Sequence, residues 1–175
     1  YLLRKHKVAR FQGRGRLLAR DRVEVRAADG AFEVQASKAV VIASGSEAAT
    51  LPDLPIDERR IVTSAGALSL TAAPRHLAVI GGGYVGLELG SVWRRLGSEV
   101  TVIEVLDRIA SGVDSEMSAA LHKVLEAQGF EFCLGHKVVG SRMDGDDVVL
   151  DVEPMGEGAR GTIKADVVLV SICRR

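Results

Sequence analysis

Apolar runs and helical patterns alternate along residues 75–175. Three short apolar runs, at 76–80, 99–104 and 130–134, are typical of buried parallel strands. Apolar positions at spacings of three and four predict helices between them, over 84–96 and about 114–128. The order strand, helix, strand, helix, strand predicts an α/β domain built on a parallel sheet.

The same spacings predict which face of each helix is buried. On the first helix the predicted core positions are Val85, Leu89, Val92 and Leu96, and Gly97 follows as a left-handed cap. On the second helix, which Asp114 or Ser115 can cap, the predicted core positions are Met117, Leu121, Val124 and Leu125.

An antiparallel meander is predicted after the third parallel strand. Two segments of alternating pattern, "HKVVGSRM" and "DVVLDVEP", flank the turn Asp144–Asp147, and a further strand is predicted around 161–164. The apolar segment "ADVVLVSICRR" then returns as a parallel strand that runs into a loop at Cys173. Residues 75–175 are therefore predicted to form a Rossmann-like, doubly wound parallel sheet with an antiparallel β-meander.

Residues 1–46 repeat the order strand, meander, apolar strand. "VVIASG" at 40–45 corresponds to "VLVSIC" at 168–173, and we interpret the correspondence as an internal repeat. Residues 1–46 would then be the C-terminal part of a second nucleotide-binding domain, made of β-strands; a free-standing β-meander is the alternative. Residues 47–74, which carry three prolines, are predicted to connect the two domains, with a short helical turn around 64–70.

A glycine motif joins the first parallel strand to the first helix. The stretch "GGGYVG" contains G-x-G-x-x-G at Gly81, Gly83 and Gly86. The first glycine allows the tight turn, the second lets a pyrophosphate approach the backbone, and the third lets the helix pack closely on the sheet. The free N–H groups and positive dipole end of the helix N-terminus favour phosphate.

Glu104 ends the strand that follows this helix. A carboxylate there can accept both ribose hydroxyls of an adenosine, and it repels a 2′-phosphate. At about 4 Å and an effective dielectric constant of 20 to 80, the repulsion is about 1–4 kcal/mol per unit charge. The sequence therefore predicts a site that prefers NAD to NADP.

Composition adds little to this picture. Lys and Arg together number 23, as do Asp and Glu, so the formal net charge is zero, and nothing indicates nucleic acid or a membrane as a partner. No apolar run approaches the roughly 18 residues of a membrane span. The two cysteines, Cys133 and Cys173, are far apart in sequence, which predicts no disulfide framework and is typical of a reducing compartment. The histidines lack metal-ligand spacing, which predicts no metal site.

Several stretches together resemble the dihydrolipoamide dehydrogenases, a family of flavin disulfide oxidoreductases. They are "VIASGSE", "IVTSAGALSL", "GGGYVGLELGSVWRRLGSEVTVIE", "LDRI" and "VLVSICRR". The resemblance covers nearly the whole chain. It implies that residues 1–46 are the last part of an FAD domain and that residues 75–175 are the NAD domain inserted into it.

The resemblance also implies a set of cofactor-binding residues. The pyrophosphate and the nicotinamide side of NAD would be held by Gly81, Gly82, Gly83, Tyr84, Val85, Gly86, Leu87 and Glu88. Glu104 would bind the adenosine ribose, Val138 would lie near the adenine, and Cys173 would approach NAD. On the flavin side, the residues implied to touch FAD are Gly15, Ser44, Gly45 and Ser46.

Two positions depart from the family pattern. The family usually has Thr at the position of Ser44, which preserves the hydroxyl, and Gly at the position of Cys173. If the backbone at Cys173 requires a positive φ, its Cβ costs about 1–2 kcal/mol. It would also crowd the nicotinamide.

The resemblance implies an activity for the parent protein: dihydrolipoamide reduces a disulfide, electrons pass to FAD, and a hydride passes to NAD. The family's redox-active cysteine pair and its His-Glu pair are expected outside this chain, so the chain alone is expected to be inactive. Implied partners are NAD or NADH, FAD, a lipoamide-bearing 2-oxo acid dehydrogenase or glycine cleavage complex, and a second copy in a homodimer. The implied location is a bacterial cytoplasm or a mitochondrial matrix.

Two alternatives remain at this point. One is the NADPH-binding part of another flavin disulfide reductase, of the mercuric or glutathione reductase type, against which Glu104 and Gly86 argue. The other is a non-catalytic nucleotide-binding module.

Overall fold

The chain folds as two compact units, residues 1–45 and the residues from 46 onward, in a computed structural model that describes residues 1–174. The first unit is a three-stranded antiparallel sheet of order β1-β2-β3 with a short helix before it. Its elements are α1 (Leu2–Lys5), β1 (Arg14–Ala19), β2 (Arg22–Ala27) and β3 (Gly30–Gln35). The predicted meander of residues 1–46 is therefore confirmed.

The apolar strand predicted over residues 40–45 is not formed. These residues belong to no strand, and Val41 and Ile42 are 85% and 75% exposed. A parallel strand needs hydrogen-bonded neighbours, and none of the described strands pairs with this segment. The corresponding segment in the second unit, Val167–Val170, has such neighbours and forms a strand. The repeat in the sequence therefore corresponds to similar structures in the two meanders but not in the two apolar segments.

The second unit is built on a five-stranded sheet of order β4-β11-β5-β6-β7, in which all neighbouring strands are parallel. Its strands are β4 (Ile61–Val62), β5 (His76–Ile80), β6 (Glu99–Glu104), β7 (Phe130–Leu134) and β11 (Val167–Val170). The helices are α2 (Ser64–Ala67), α3 (Tyr84–Arg95) and α4 (Ser115–Ala127), and the antiparallel meander is β8 (His136–Asp144), β9 (Asp147–Pro154) and β10 (Gly161–Ala165).

The two faces of the parallel sheet are covered by different layers. Side chains alternate along β5, so Leu77 and Val79 pack with the helices through Leu87, Trp93 and Leu125. Ala78 and Ile80 instead pack with the meander through residues such as Leu150 and Val152. The predicted doubly wound sheet therefore has helices on one face and an antiparallel sheet on the other.

The buried face of α3 differs from the predicted one. Val92 and Leu96 are 46% and 59% exposed, whereas Gly86, Gly90 and Trp93 face the sheet. The small residues let α3 approach so closely that a Cβ at Gly90 would lie 3.0 Å from Phe130. The predicted core position Leu89 does pack against the core, and close approach of the helix backbone replaces the aliphatic contacts predicted for Val92 and Leu96. Gly97 has φ +105°, as its predicted cap role requires.

The predicted core of α4 is also largely wrong. Leu125 is buried, but Met117, Leu121 and Val124 are exposed, and the helix turns Ser118 inward instead. The Ser118 hydroxyl donates a 2.6 Å hydrogen bond to the Ile109 carbonyl oxygen, so the loop before α4 fixes the rotation of the helix. Asp114 is the N-cap, as predicted, and accepts hydrogen bonds from the N–H groups of Glu116 and Met117.

The segment 47–74 contributes to the second unit. Ile61 and Val62 are buried in β4, which pairs in parallel with β11 at one edge of the sheet. The Asp57 carboxylate organises the turn before this strand by accepting from the N–H groups of Arg59, Arg60 and Ile61 at 2.8–2.9 Å. Among residues 1–174, none of the helices has the length and apolar content needed to cross a membrane.

Candidate nucleotide site

The carboxyl ends of three adjacent parallel strands meet at one edge of the sheet in the second unit. β5 ends at Ile80 and leads into the glycine loop, β6 ends at Glu104, and β11 leads into Ser171. The strand order places β5 between the other two, with its following helix starting at this edge. Ligands of open α/β sheets bind at such an edge, where neighbouring strands are connected in opposite directions.

Two of the motif glycines are required by packing in the protein itself. Gly81 has φ +105°, and a Cβ there would lie 2.7 Å from the Ser171 carbonyl oxygen. A Cβ at Gly86 would meet the Gly81 carbonyl oxygen and would lie 2.5 Å from the Ser171 hydroxyl. Both residues therefore bring the loop, the helix and the end of β11 into direct contact, as predicted for a tight turn and close helix packing.

Gly83 has a different role. It is the N-cap of α3, with φ −77° and ψ 175°, and it provides no side-chain cap. A Cβ there would meet no protein atom within 4 Å. The glycine therefore leaves open space in front of the first turn of α3, whose N–H groups lack partners within the helix. This is the arrangement that accepts a phosphate group.

Glu104 is tied to the glycine loop by hydrogen bonds. Its Oε2 accepts from the Gly82 N–H at 2.6 Å, and its Oε1 accepts from the Leu106 N–H at 3.0 Å. Each carboxylate oxygen has a second lone pair, so both can still accept a ligand hydroxyl. The carboxylate is thus a fixed negative charge beside the loop, and it also holds Gly82 in place.

The loop that contains Ile109 and Ala110, which lies outside the sequence motif, packs against the glycine loop. The Ala110 N–H donates to the Gly82 carbonyl oxygen at 2.7 Å, and Ala110 adopts a positive φ of 45°. The neighbouring Ile109 is fully buried, and a Cβ at Gly82 would lie 3.3 Å from its side chain. The middle glycine is therefore enclosed between Glu104 and Ile109. The segment "LDRI" contributes to the family resemblance, and its packing against the glycine loop could not be predicted from sequence.

Two cavities open on either side of Gly83. The first, which we call the Glu104 cavity, has a volume of about 330 Å³, and its lining includes Gly81, Glu104, Leu106, His136, Lys137 and Val138. The second, the Cys173 cavity, has a volume of about 360 Å³, and its lining includes Ser64, Gly83, Tyr84, Val85, Ser171 and Cys173. Gly83 and Ile172 line both cavities, so together they form a continuous groove across the start of α3.

Most residues implied to bind NAD line this groove. Gly81, Gly83, Glu104 and Val138 line the Glu104 cavity, and Tyr84, Val85 and Cys173 line the other. Gly86 and Leu87 are instead buried in the contact between helix and sheet, and Glu88 is on the same helix, outside both linings. Sequence reasoning missed lining residues that come from distant segments: Ala48, Leu51, Ser64, Ser111, His136, Lys137, Ser171, Ile172 and Arg174.

Cys173 is unstrained and exposed. The non-glycine residues with positive φ among the described residues are Lys7, Glu58 and Ala110, so the backbone at Cys173 does not carry the cost considered above. Its thiol donates to the Arg174 carbonyl oxygen at 3.3 Å. The other cysteine, Cys133, is half-buried in β7, and burial raises the pKa of its thiol. The two cysteines therefore differ in exposure, and neither lies in a disulfide.

Arg174 fixes the wall of the Cys173 cavity. Its guanidinium donates to the Ser46 hydroxyl at 2.8 Å and to the Ser46 carbonyl oxygen at 2.7 Å. The Ala49 N–H also donates to the Cys173 carbonyl oxygen at 3.0 Å. The segment that enters the second unit at Ser46 is therefore bound along the segment that follows β11, a contact that sequence periodicity does not reveal.

The residues implied to touch FAD are distributed over both units. Gly15 lies in β1, opposite Val25 of β2, and Ser44 and Gly45 lie in the segment after β3, where Gly45 has φ +83°. Ser46 belongs to the second unit. Their assignment to FAD stays a prediction.

The chain matches the family model described as pyridine nucleotide-disulphide oxidoreductase over residues 1–175. It is 50% identical over 175 residues to dihydrolipoyl dehydrogenase 3 of Pseudomonas aeruginosa, covering 100% of this chain and 38% of that protein. It is 47% identical over 173 residues to the mitochondrial dihydrolipoyl dehydrogenase 2 of Arabidopsis thaliana, covering 99% and 34%.

The fold of this chain is similar to that of a solved structure. The crystal structure of LpdA from Mycobacterium tuberculosis matches with a TM-score of 0.76 and 27% identity, covering 93% of this chain and 36% of that one. A parallel sheet with a groove at the carboxyl ends of its strands is typical of dinucleotide-binding folds. The chain belongs to the pyridine nucleotide-disulphide oxidoreductase family. It spans 38% of the length of the Pseudomonas relative that it matches.

Proposed function

We propose that residues 75–175 bind NAD(H) and that the chain supplies the NAD domain and the end of the FAD domain of a dihydrolipoyl dehydrogenase. The observation that carries the proposal is the groove across the start of α3, with open space at Gly83 and the fixed carboxylate of Glu104 at one end. The identities of 50% and 47% to dihydrolipoyl dehydrogenases support the choice within the family.

The residues present fit a dinucleotide that carries two phosphates between two nucleosides. The pyrophosphate would lie at Gly83, against the unpaired N–H groups of the first turn of α3. The adenosine would occupy the Glu104 cavity, with its ribose at Glu104 and its adenine near Val138. The nicotinamide would occupy the Cys173 cavity, beside Tyr84, Val85 and Cys173.

When bound, NAD accepts a hydride, and the chemistry of that transfer belongs to the cofactors. The residues of this chain bind the coenzyme and orient it. Glu104 accepts hydrogen bonds from the ribose, α3 stabilises the phosphate charge, and Arg174 keeps residues 46–49 against the Cys173 cavity.

We further propose the roles of the parent protein. FAD would be touched by Gly15, Ser44, Gly45 and Ser46, with residues 1–46 forming the end of the FAD domain and 47–74 the connection. Electrons would pass from dihydrolipoamide through a disulfide and FAD to NAD. The partners would be a lipoamide-bearing 2-oxo acid dehydrogenase or glycine cleavage complex and a second copy of the protein, in a bacterial cytoplasm or a mitochondrial matrix.

The test is a parallel calorimetric titration of the chain with NADH and NADPH. We expect NADH to bind more tightly, because Glu104 repels a 2′-phosphate by about 1–4 kcal/mol per unit charge. Glu104→Gln removes the charge and should reduce the preference for NADH. Glu99→Gln, at the exposed opposite end of the same strand, is the matched control and should leave the preference unchanged.

Each outcome separates the alternatives. Preference for NADPH would assign the chain to the mercuric or glutathione reductase type. Binding of neither coenzyme would contradict the assignment of the groove. For the parent protein, the assay is NAD⁺-dependent oxidation of dihydrolipoamide by the full-length enzyme, and its absence with intact NADH binding would favour a non-catalytic nucleotide-binding module.

A further inference from the structure

His136 lines the Glu104 cavity, and the glycine motif does not include it. It is the first residue of β8, directly after β7 and its connecting Gly135. The Gly135 N–H donates to the Leu106 carbonyl oxygen at 2.8 Å, and the Leu106 N–H donates to Glu104 at 3.0 Å. These two hydrogen bonds, one between backbone groups and one from a backbone N–H to the Glu104 carboxylate, hold the histidine at the same end of the groove as that carboxylate.

The tautomer of His136 follows from its one hydrogen-bond partner. Nδ1 lies 2.7 Å from the Leu134 carbonyl oxygen. A carbonyl oxygen only accepts, so Nδ1 carries the hydrogen in both the neutral and the protonated ring. Nε2 has no hydrogen-bond partner among residues 1–174, and it is the nitrogen that gains or loses a proton. The neutral ring therefore presents an acceptor at Nε2, and the protonated ring presents a donor and a positive charge.

The charged groups around His136 are few. Glu104, at the end of β6, lines the same cavity. Lys137 is the neighbour on β8, and its Nζ lies 3.5 Å from Glu153 of the paired strand β9. Glu153 also pairs with Arg160 at 3.2 Å. Because Glu153 is shared between Lys137 and Arg160, Lys137 keeps part of its positive charge, and the cavity holds this cation and the Glu104 carboxylate when His136 is neutral.

We propose that His136 is a second coenzyme-selectivity residue, and that its protonation relaxes the preference of the Glu104 cavity for NAD(H) over NADP(H). This inference rests on the proposed function. Neutral His136 adds no charge to the cavity, and the Glu104 carboxylate repels a 2′-phosphate. Protonated His136 offsets that charge and can donate a hydrogen bond from Nε2 to the phosphate. The proposal therefore predicts a coenzyme selectivity that changes with pH.

The test is the ratio of the dissociation constants of NADPH and NADH, measured by calorimetry at about pH 8 and about pH 5.5, where an ordinary histidine is mostly neutral and mostly protonated. We expect the ratio to fall by about 3- to 10-fold on acidification, the size of one added charge at several ångströms in a high-dielectric cavity. His136→Asn keeps a polar side chain that does not titrate, and it should retain only the smaller change caused by titration of the 2′-phosphate itself. His136→Lys should give a low ratio at both pH values.

The outcomes distinguish this inference from the proposed function. If neither coenzyme binds at either pH, the proposed function fails. If NADH binds and His136→Asn shows the same pH dependence as the original chain, His136 does not set the selectivity. A ratio unchanged by His136→Lys would overturn the inference as well. Circular dichroism and a urea transition on each variant exclude unfolding as the cause.

Discussion

Alanine substitutions at Gly83 and Gly86, two glycines of the motif, should have different effects. The first should affect coenzyme binding and the second should affect stability. Gly83→Ala places a methyl group in open space before α3, and the backbone there, at φ −77°, accepts any residue. Gly86→Ala drives a methyl group into the Gly81 carbonyl oxygen and to 2.5 Å from the Ser171 hydroxyl. We expect the first change to weaken NADH binding without unfolding the protein, and the second to destabilise the second unit.

The magnitudes follow from these contacts. At Gly86 the obstacle is backbone, so overpacking should cost about 3 kcal/mol, from which the better helix propensity of alanine recovers about 1 kcal/mol. The expected net loss in the free energy of unfolding is about 2 kcal/mol. At Gly83, reduced freedom of the unfolded chain and a poorer N-cap nearly cancel, so stability should change by less than about 1 kcal/mol. The added methyl group should weaken NADH binding at least about tenfold.

The assay for stability is urea denaturation followed by the fluorescence of Trp93, the single tryptophan, which lies on the buried face of α3 and reports on the second unit alone. A loss of 2 kcal/mol moves the midpoint by about 1 M urea. Binding is measured by calorimetry with NADH. Unchanged affinity in Gly83→Ala would refute the position assigned to the pyrophosphate, and an unchanged midpoint in Gly86→Ala would refute the packing argument.

Three further predictions concern caps, thiols and pH. Asp114→Ala should lower the free energy of unfolding by about 1 kcal/mol in the same urea assay, because it removes the acceptor for two N–H groups of α4, whereas Ser115→Ala should change it little. A thiol reagent at neutral pH should label exposed Cys173 before Cys133, because burial raises the pKa of Cys133, and NADH should protect Cys173; equal rates, followed by mass spectrometry, would contradict this. Burial alone would raise the pKa of Asp57, but hydrogen bonds from the N–H groups of Ile61, Arg59 and Arg60 lower it overall. The ionised Asp57 carboxylate therefore stabilises the folded protein above about pH 4, and this contribution is lost as the pH falls through the lowered pKa. Asp57→Ala should therefore differ most from the original chain at neutral pH and converge with it in acid, whereas Asp53→Ala should show no such trend.

The order of elements around the glycine motif could be predicted from sequence because its signals are local. An apolar run, three glycines, a helical period and an acid at the end of the next strand occur in a fixed order, and each reflects chemistry within a few residues. The rotation of the helices could not be predicted in the same way. Periodicity counts large apolar residues such as Val92, whereas α3 packs through Gly86 and Gly90, whose contribution is the absence of a side chain.

Other features of the structure depend on which distant segment of the chain lies beside a given residue. β4 consists of two residues within a proline-containing segment, too short for any period, and it is a strand because β11 lies beside it. The lining of the groove likewise joins Ala48, His136 and Ser171, which only the topology of the sheet brings to one edge. Local pattern therefore predicted the loop at the centre of the groove and missed most of its walls.

The predicted strand at residues 40–45, which does not form, has a consequence for handling the chain. Val41 and Ile42 lie in an exposed apolar stretch whose backbone N–H and C=O groups pair with no described strand. Such a segment is a template for pairing with the same segment of another molecule. Self-association should therefore begin in the first unit and rise with concentration, while the groove of the second unit is still intact. Charged residues introduced at 41 and 42 should suppress light scattering by concentrated samples and leave coenzyme binding unaltered.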